Sequence, residues 1–563
     1  QPPLESTSTE PSSRRHCTGQ RTDGFSSFAA PMAFAGQIMS DIKKGQGEAE
    51  APAPAAAAKD EGKPARRNNW KTSQVTETFP NGSPPDYSLV GEEAKEAVRK
   101  GLANGHWFVP AVERKTLRRL MQRDDWHATR DTVVLFGLIL GSGYGAFHFW
   151  QQGSYWLFAL CFWVYCTLYT SSGDSRWHEC GHATAFKSKW KNDVLYQLAS
   201  FMVFREPLVW RFSHARHHTD TDIVGRDPEI DGRPLDMWNL FLAFFNYQGI
   251  QGESKKIWMH AWGNLSPAER VFVPSTYRSA VYNQARSWLV VYALTVGVSI
   301  AWRTPLPAMY IFLPYSLGAW HFVLTGVFQH ASLQHDVLDH RLNTRTCYIN
   351  PISAFIYWNM HYHVEHHMFP MVPYYNLPEL HEVLKPQMPK PYGSMWEVYC
   401  EMIPAMIKQA QDPNYYTDRS AAIPPPLPAP EGKEQAAAAQ PDKEGWVAAC
   451  TTDEVPKGDM IRLDVGVKTY CVYHAEDDGQ FYATAGRCTH GAADLADGLV
   501  HTEGNLIECP KHNGCFDFKT GEPKRLPVRT RLATFPTKVE GDTVFVQVTD
   551  GKHVQIRYDA EDS

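Results

Sequence analysis

The segment Tyr357–Pro370, YWNMHYHVEHHMFP, carries three histidines, His363, His366 and His367, at positions i, i+3 and i+4. On a helix that spacing puts all three rings on one face. The same pattern stands earlier as His214-Ala-Arg-His217-His218, and a shorter form as His178-Glu-Cys-Gly-His182. A single cluster of this kind is usually a solvated or packed feature, but three of them, each beside an apolar segment, point to metal. Three convergent faces supply eight imidazoles, more than one ion can use, and two ions are implied.

Around these clusters, across residues 85–415, the chain resembles the membrane fatty-acid desaturase and hydroxylase superfamily, whose three histidine boxes read much like HECGH, HARHH and HVEHH. The resemblance implies a diiron centre held by His178, His182, His214, His217, His218, His363, His366 and His367. It also implies one more histidine between the second and third boxes. His330, in Phe328-Gln-His-Ala, is the first choice and His335 the second. His361, two residues before His363, faces away on a helix and reads as an orienting or surface group. Glu179 and Glu365 are placed to accept from imidazole N–H groups.

The fold class expected is a mainly α membrane domain, with about four transmembrane helices and further interfacial helices, then a small all-β domain, behind a disordered N-terminus. Residues 1–84 are polar, with an Ala/Pro tract, and bury too little apolar surface to order themselves. The chain opens on Gln1, so it reads either as a fragment or as carrying extraneous upstream sequence, with Met32 as an alternative start. Arg114, Lys115, Arg118, Arg119, Arg123 and Arg130 mark a basic stretch at the membrane interface. Thr132–Trp150 with Ser154–Thr170, then Trp288–Trp302 with Leu306–Phe328, form two tightly linked pairs of apolar runs. The runs of the first pair each approach the ~20 residues that cross a bilayer, whereas Trp288–Trp302 is short and reads as tilted or partly interfacial. An even number of crossings brings every histidine box to one membrane face, which the shared site requires. Asn192–Ala280 reads as interfacial helices, and Ser394–Gln411 as an amphipathic helix kinked at Pro404.

Residues 416–444 are a Pro/Ala-rich linker. Residues 445–556 alternate short apolar runs with turn signals, the pattern of a small β domain, and 557–563 form an acidic tail. Within the β domain lie Cys488-Thr-His490 and Cys509-Pro-Lys-His512. Two cysteines and two histidines admit structural zinc, but CxH and CxxH with glycine-bearing loops resemble the Rieske signature. That resemblance implies that Cys488 and Cys509 hold one iron of a 2Fe–2S cluster, and His490 and His512 the other. Ala493 and Lys511 stand where respiratory Rieske proteins carry a bridging cysteine pair, so the likeness is to the oxygenase-associated ferredoxins of lower potential. Cys515 reads as a packed thiol. The eleven cysteines form no secreted disulfide framework.

Zinc has no redox chemistry, so a tethered electron donor tips the choice of metal to iron. The expected function is that of a membrane-bound non-heme diiron oxidoreductase. It would use dioxygen and electrons from its Rieske cluster, fed by an external NAD(P)H-dependent reductase, to desaturate or hydroxylate a C–H bond in a fatty acyl or other lipid-like substrate. The segment Asp336–Arg345 and the third box also resemble bacterial membrane oxygenases that work with separate Rieske ferredoxins, and no heme-binding HPGG motif is present. Oxygenation or O-demethylation of a small polar substrate is therefore a second reading, and a redox relay without turnover a third. The expected partners are the bilayer, a ferredoxin reductase, dioxygen and the substrate. A net charge of −6 with no basic surplus argues against nucleic acid. The expected location is an integral membrane one with cytosolic metal sites, in the endoplasmic reticulum if the source is eukaryotic.

Overall fold

The computed structural model describes residues 87–91, 93–103, 107–230, 237–412, 415–425, 441–491, 493–511 and 513–548. The expected N-terminal region, the acidic tail and His512 lie outside the described residues.

A basic helix, α1 (Arg114–Leu120), precedes a long hairpin of α2 (Trp126–Gln151) and α3 (Tyr155–Gly181). The turn between them passes through Gly153 at φ 69°, a left-handed conformation that costs glycine nothing. The helices close tightly: a Cβ at Gly143 would stand 3.1 Å from the Tyr165 ring. The hydroxyl of Tyr310 donates to the Gly143 carbonyl at 2.7 Å.

The character of α3 changes along its length. Its first turns expose Trp156, Leu160 and Trp163, whereas from Tyr165 to Cys180 it is almost wholly buried, including Ser171, Ser175, Arg176 and Glu179. A buried guanidinium needs partners. Arg176 donates to the Ile356 carbonyl at 2.7 Å and lies 4.3 Å from the Trp358 ring centroid.

Helix α4 (Lys189–Met202) packs back on α3, and α5 (Pro207–Thr219) opens on Pro207, whose missing N–H costs nothing at a first helical position. Short helices Met237–Ala243, Tyr247–Ala261 and Pro267–Phe272 fill the expected interfacial region before α6 (Ser275–Ala301).

The expected crossing Leu306–Phe328 is not one helix. It breaks into Leu306–Phe312, Pro314–Leu317 and Ala319–Gly326 and ends in a 3-10 turn, Val327–Gln329. Pro314 lacks an N–H and its carbonyl accepts from the Thr170 hydroxyl. Gly318 approaches α3 so closely that a Cβ there would fall 1.9 Å from the Cys166 carbonyl oxygen. Among the described residues, only α2 is long and apolar enough to cross a membrane by length and composition. Four such helices are therefore not found among the described residues: α3 and α6 have the length, but Tyr, Trp, Thr and Ser side chains dilute the apolar run of α3, and Gln284 and Arg286 stand at the start of that of α6.

After two left-handed residues, Trp358 and Asn359, come α7 (His363–Met368) and α8 (Leu377–Leu384). Met395–Gln411 runs as a helix through Pro404. Part of the expected linker belongs to the helical body. The Thr417 N–H donates to the Ser332 carbonyl at 2.8 Å, and the Arg419 guanidinium donates to the Thr344 carbonyl at 3.2 Å.

The C-terminal part is all β among the described residues. Its strands are β1 (Trp446–Thr451), β2 (Asp459–Val465), β3 (Lys468–His474), β4 (Phe481–Ala485), β5 (Leu499–His501), β6 (Leu506–Glu508), β7 (Cys515–Asp517), β8 (Pro523–Arg525), β9 (Thr534–Phe535), β10 (Thr537–Glu540) and β11 (Thr543–Gln547). They form three antiparallel sheets ordered β1-β11-β10, β2-β3-β4-β9 and β5-β6-β7-β8. Alternation places Val544 and Val546 of β11 in the core.

Three arginines of the basic stretch read as a membrane interface, Arg114, Arg118 and Arg123, instead reach this β domain, while Arg119 pairs with Glu379 of α8. Arg118 donates to the Gly458 carbonyl at 2.9 Å and pairs with Asp459, and Arg123 pairs with Glu508 at 3.1 Å. Those guanidiniums find buried protein acceptors in place of headgroups.

Candidate metal centres

Helices α3, α5 and α7, with the end of the 3-10 turn at His330, converge on one buried pocket. His178, His182, His214, His218 and His366 form one group whose ligand atoms all lie within 4.8 Å of one another. His217, His330, His363 and His367 form a second. All nine histidines expected as iron ligands are therefore brought together, and His330 belongs with them. His335 does not: its Nδ1 lies 2.8 Å from Asp336.

The second and third boxes each serve both groups, whereas the first box serves one. Residues four apart on a helix differ by about 40° around the axis, whereas i and i+3 differ by about 60° the other way. Each i, i+4 pair therefore stays together. His214 and His218 enter the first group and His217 the second, while His363 and His367 enter the second and His366 the first.

The contacts between rings fit metal ligation better than hydrogen bonding. Nε2 of His178 lies 2.7 Å from that of His366 and 3.2 Å from that of His214, whose Nε2 is 2.9 Å from that of His182. In the second group, Nε2 of His363 is 3.0 Å from that of His330 and 3.1 Å from that of His367. An imidazole nitrogen carries either one hydrogen or one lone pair, so a nitrogen between two others can bond only one of them. Two nitrogens held about 2.1 Å from one ion at right angles stand about 3.0 Å apart, as these do. Both nitrogens of buried His218 lack a protein partner. Burial first, and then the neighbouring rings, hold the pKa values of His218, His363, His366 and His367 well below the ordinary value, which leaves their lone pairs available.

Behind the rings stand acceptors that the sequence reading missed. His214 Nδ1 meets Glu229 at 3.0 Å, His217 Nδ1 meets Asp227 at 2.8 Å, and His330 Nδ1 meets the Asn343 carbonyl at 3.0 Å. The carboxylates fix ring orientation and raise ligand basicity. Their only signal was an Asp-Pro-Glu run a short way beyond the second box. The two carboxylates chosen from the sequence act elsewhere. Glu179 accepts from Thr184 at 2.7 Å and from the Tyr374 N–H at 3.1 Å. Glu365 meets His381 and Thr346, each at 2.5 Å. His361 is buried, not a surface group, and lies outside both histidine groups.

In the β domain, Cys488 and Cys509 are buried. The Cys509 thiol beside it, and the backbone N–H groups of His490 and Gly491, lower the Cys488 pKa against its burial. Such donors suit sulfur that carries negative charge. Cys515 is packed and buried, as expected. His490 lies on the exposed rim two residues beyond Cys488, and His512 lies outside the described residues.

The chain matches the fatty acid desaturase family over residues 154–399 and the Rieske [2Fe-2S] domain family over residues 445–536. Its C-terminal part is 41% identical over 106 residues to the ferredoxin component of the naphthalene 1,2-dioxygenase system of Pseudomonas aeruginosa, covering 19% of this chain and 98% of that protein. It is 40% identical over 105 residues to the ferredoxin component of the 2,4-dinitrotoluene dioxygenase system of Burkholderia sp. (strain RASC), covering 19% and 97%. A chain of a carbazole 1,9a-dioxygenase oxygenase–ferredoxin complex is 37% identical, with 18% of this chain and 98% of that chain covered and a TM-score of 0.17. The protein is a fatty acid desaturase domain followed by a C-terminal Rieske domain, and through the latter it belongs to the Rieske ferredoxin family. It is a dioxygen-dependent oxidoreductase whose cofactors are a [2Fe-2S] cluster and non-heme iron.

Proposed function

We propose that this protein is a membrane diiron oxygenase that desaturates or hydroxylates a lipid-like chain with electrons drawn from its own Rieske domain. The observation that carries the reading is the pairing of two imidazole groups in one pocket beside a seated iron–sulfur domain. The ligands would be the nine histidines of the two groups for iron, and Cys488, His490, Cys509 and His512 for the cluster. When bound, an iron pair supplies dioxygen activation and removal of hydrogen from an unactivated C–H bond. The protein's own part is to hold the rings of His178, His218, His363, His366 and His367 neutral by burial, to aim those of His217 and His214 through Asp227 and Glu229, and to bury the pocket from water.

A bilayer setting is supported by the large apolar side chains that remain exposed on three helices: Val133, Leu140 and Tyr144 on α2, Trp156 on α3, and Leu294 and Ile300 on α6. Large apolar side chains left exposed along three helices mark contact with lipid or a partner. A substrate that partitions into lipid reaches such a site laterally. The domain limits proposed are 85–415 for the membrane part and 445–556 for the Rieske part. The electron source is an external NAD(P)H-dependent ferredoxin reductase.

The test is expression with a ferredoxin reductase in a lipid-rich host, followed by lipid and metabolite comparison against His363→Ala. A new unsaturated or hydroxylated lipid that is lost in the variant is the expected result. A product that survives the substitution, or one confined to small polar metabolites, overturns the reading.

A further inference from the structure

The Rieske domain meets the histidine pocket at a buried contact. Asn513 donates through Nδ2 to the backbone carbonyl of His182 at 2.6 Å. His182 belongs to the first imidazole group, and Asn513 follows directly on His512 of the second Rieske half-motif. Asn513 is 5% exposed and its backbone is locked. Its φ is 57°, its N–H donates to the Cys509 carbonyl at 3.1 Å, and its own carbonyl accepts from Arg525 at 2.6 Å. Asparagine tolerates the left-handed conformation better than most residues, but so does glycine. The loop geometry alone therefore does not account for the side chain.

The seat around this contact is polar and specific. Glu508, fully buried, meets Arg123 of the helical part at 3.1 Å and also pairs with Arg525. Burial raises the Glu508 carboxyl, but Arg123 and then Arg525 outweigh it and hold it well below the usual carboxylate range. Arg114 and Arg118 of α1 both reach Asp459. A second path lies close by: Lys511 stands over the Trp107 ring at 5.8 Å, Trp107 stacks on His340 at 4.1 Å, and His340 is 5.0 Å from His367.

We propose that Asn513 is the contact through which electrons leave the Rieske domain for the histidine pocket, with the Arg123–Glu508 pair holding it in register. The inference rests on the diiron reading above. Bonds and hydrogen bonds couple donor and acceptor far better than a gap between surfaces. The path through His512, Asn513 and His182 is bonded throughout, whereas the ring path crosses several van der Waals gaps. One electron crosses per event: the reduced [2Fe-2S] centre loses it and ferric iron at the histidines gains it, with no atom moved. The reductant upstream is the nicotinamide-dependent ferredoxin reductase already named.

The experiment uses the full-length holoprotein, reduced by NADPH and catalytic reductase, then mixed with dioxygen and freeze-quenched. The decay of the reduced-cluster paramagnetic signal is the readout. Asn513→Gly keeps the left-handed backbone, and Asn513→Asp keeps the shape without the donor. Both should retain the cluster's spectrum, midpoint potential and iron content while the decay slows about tenfold, equivalent to about 1.4 kcal/mol in the seated state. Wild-type decay no faster than that of His363→Ala would sink the diiron reading itself. Fast wild-type decay matched by both Asn513 variants would overturn this proposal alone. So would slowing by Trp107→Leu without slowing by Asn513→Gly, which would assign the path to the rings.

Discussion

At the scale of single residues, His330 decides whether the second group can hold an ion. Without it that group keeps three rings, His217, His363 and His367. His330→Ala should lose one of the two irons outside the cluster, measured as iron per chain against acid-labile sulfide, whereas His335→Ala should lose none. Full iron retention in His330→Ala would remove it from the ligand set. His260 supplies a different test. It is buried between Glu206 and Glu269, and although burial lowers its pKa, the hydrogen bonds to those carboxylates raise it to about 9. A raised folded-state value means stability that is fully present below about 6.5, the unfolded value, and lost as pH climbs toward about 9. The melting temperature should therefore fall between pH 7 and pH 9, with a contribution of up to about 3 kcal/mol. In His260→Gln that slope should flatten.

At the scale of elements, the helical body depends on close approaches that only small residues permit. Gly318 lies where a Cβ would meet the Cys166 carbonyl oxygen at 1.9 Å, and that oxygen is backbone and cannot swing aside. Gly318→Ala should force the Pro314–Leu317 segment away from α3 and cost about 1–3 kcal/mol, the usual penalty of overpacking. Thermal unfolding in detergent reads that loss. An unchanged melting point would show that the two segments separate freely. Because α3 carries His178 and ends at His182, the same variant should also lower iron occupancy. The i, i+4 pairing on α5 and α7 is likewise an element-level property. A helix turns too far in three residues for His217 to join His214 and His218 in one group.

At the scale of the whole molecule, the Rieske part is seated by charge as much as by apolar contact. The Arg123–Glu508 pair is almost fully buried, with side-chain exposures of 8% and 0%. Reversing one member of such a pair leaves an unpaired buried charge, typically at a cost of 3–5 kcal/mol. Arg123→Glu should therefore unseat the domain, seen as faster hydrogen exchange across residues 114–123. Unchanged exchange there would mean that the seat is apolar in origin. High salt should weaken the more exposed Arg118–Asp459 pair well before the buried one.

The histidine boxes, the cysteine–histidine half-motifs, the long α2–α3 hairpin and the all-β C-terminal part were legible in the sequence. Spacing along a chain dictates which side chains a single helix or loop presents together. His330 was reachable only through resemblance, since a lone histidine has no spacing to read. Other features belong to the tertiary structure: the sorting of nine rings into two groups, Asp227 and Glu229 behind them, the breaks at Pro314 and Gly318, and the turn of a basic helix toward Glu508 and Asp459 instead of a membrane. Each joins residues far apart in the chain, and local periodicity carries no information about which distant carboxylate, carbonyl or ring fills the space opposite.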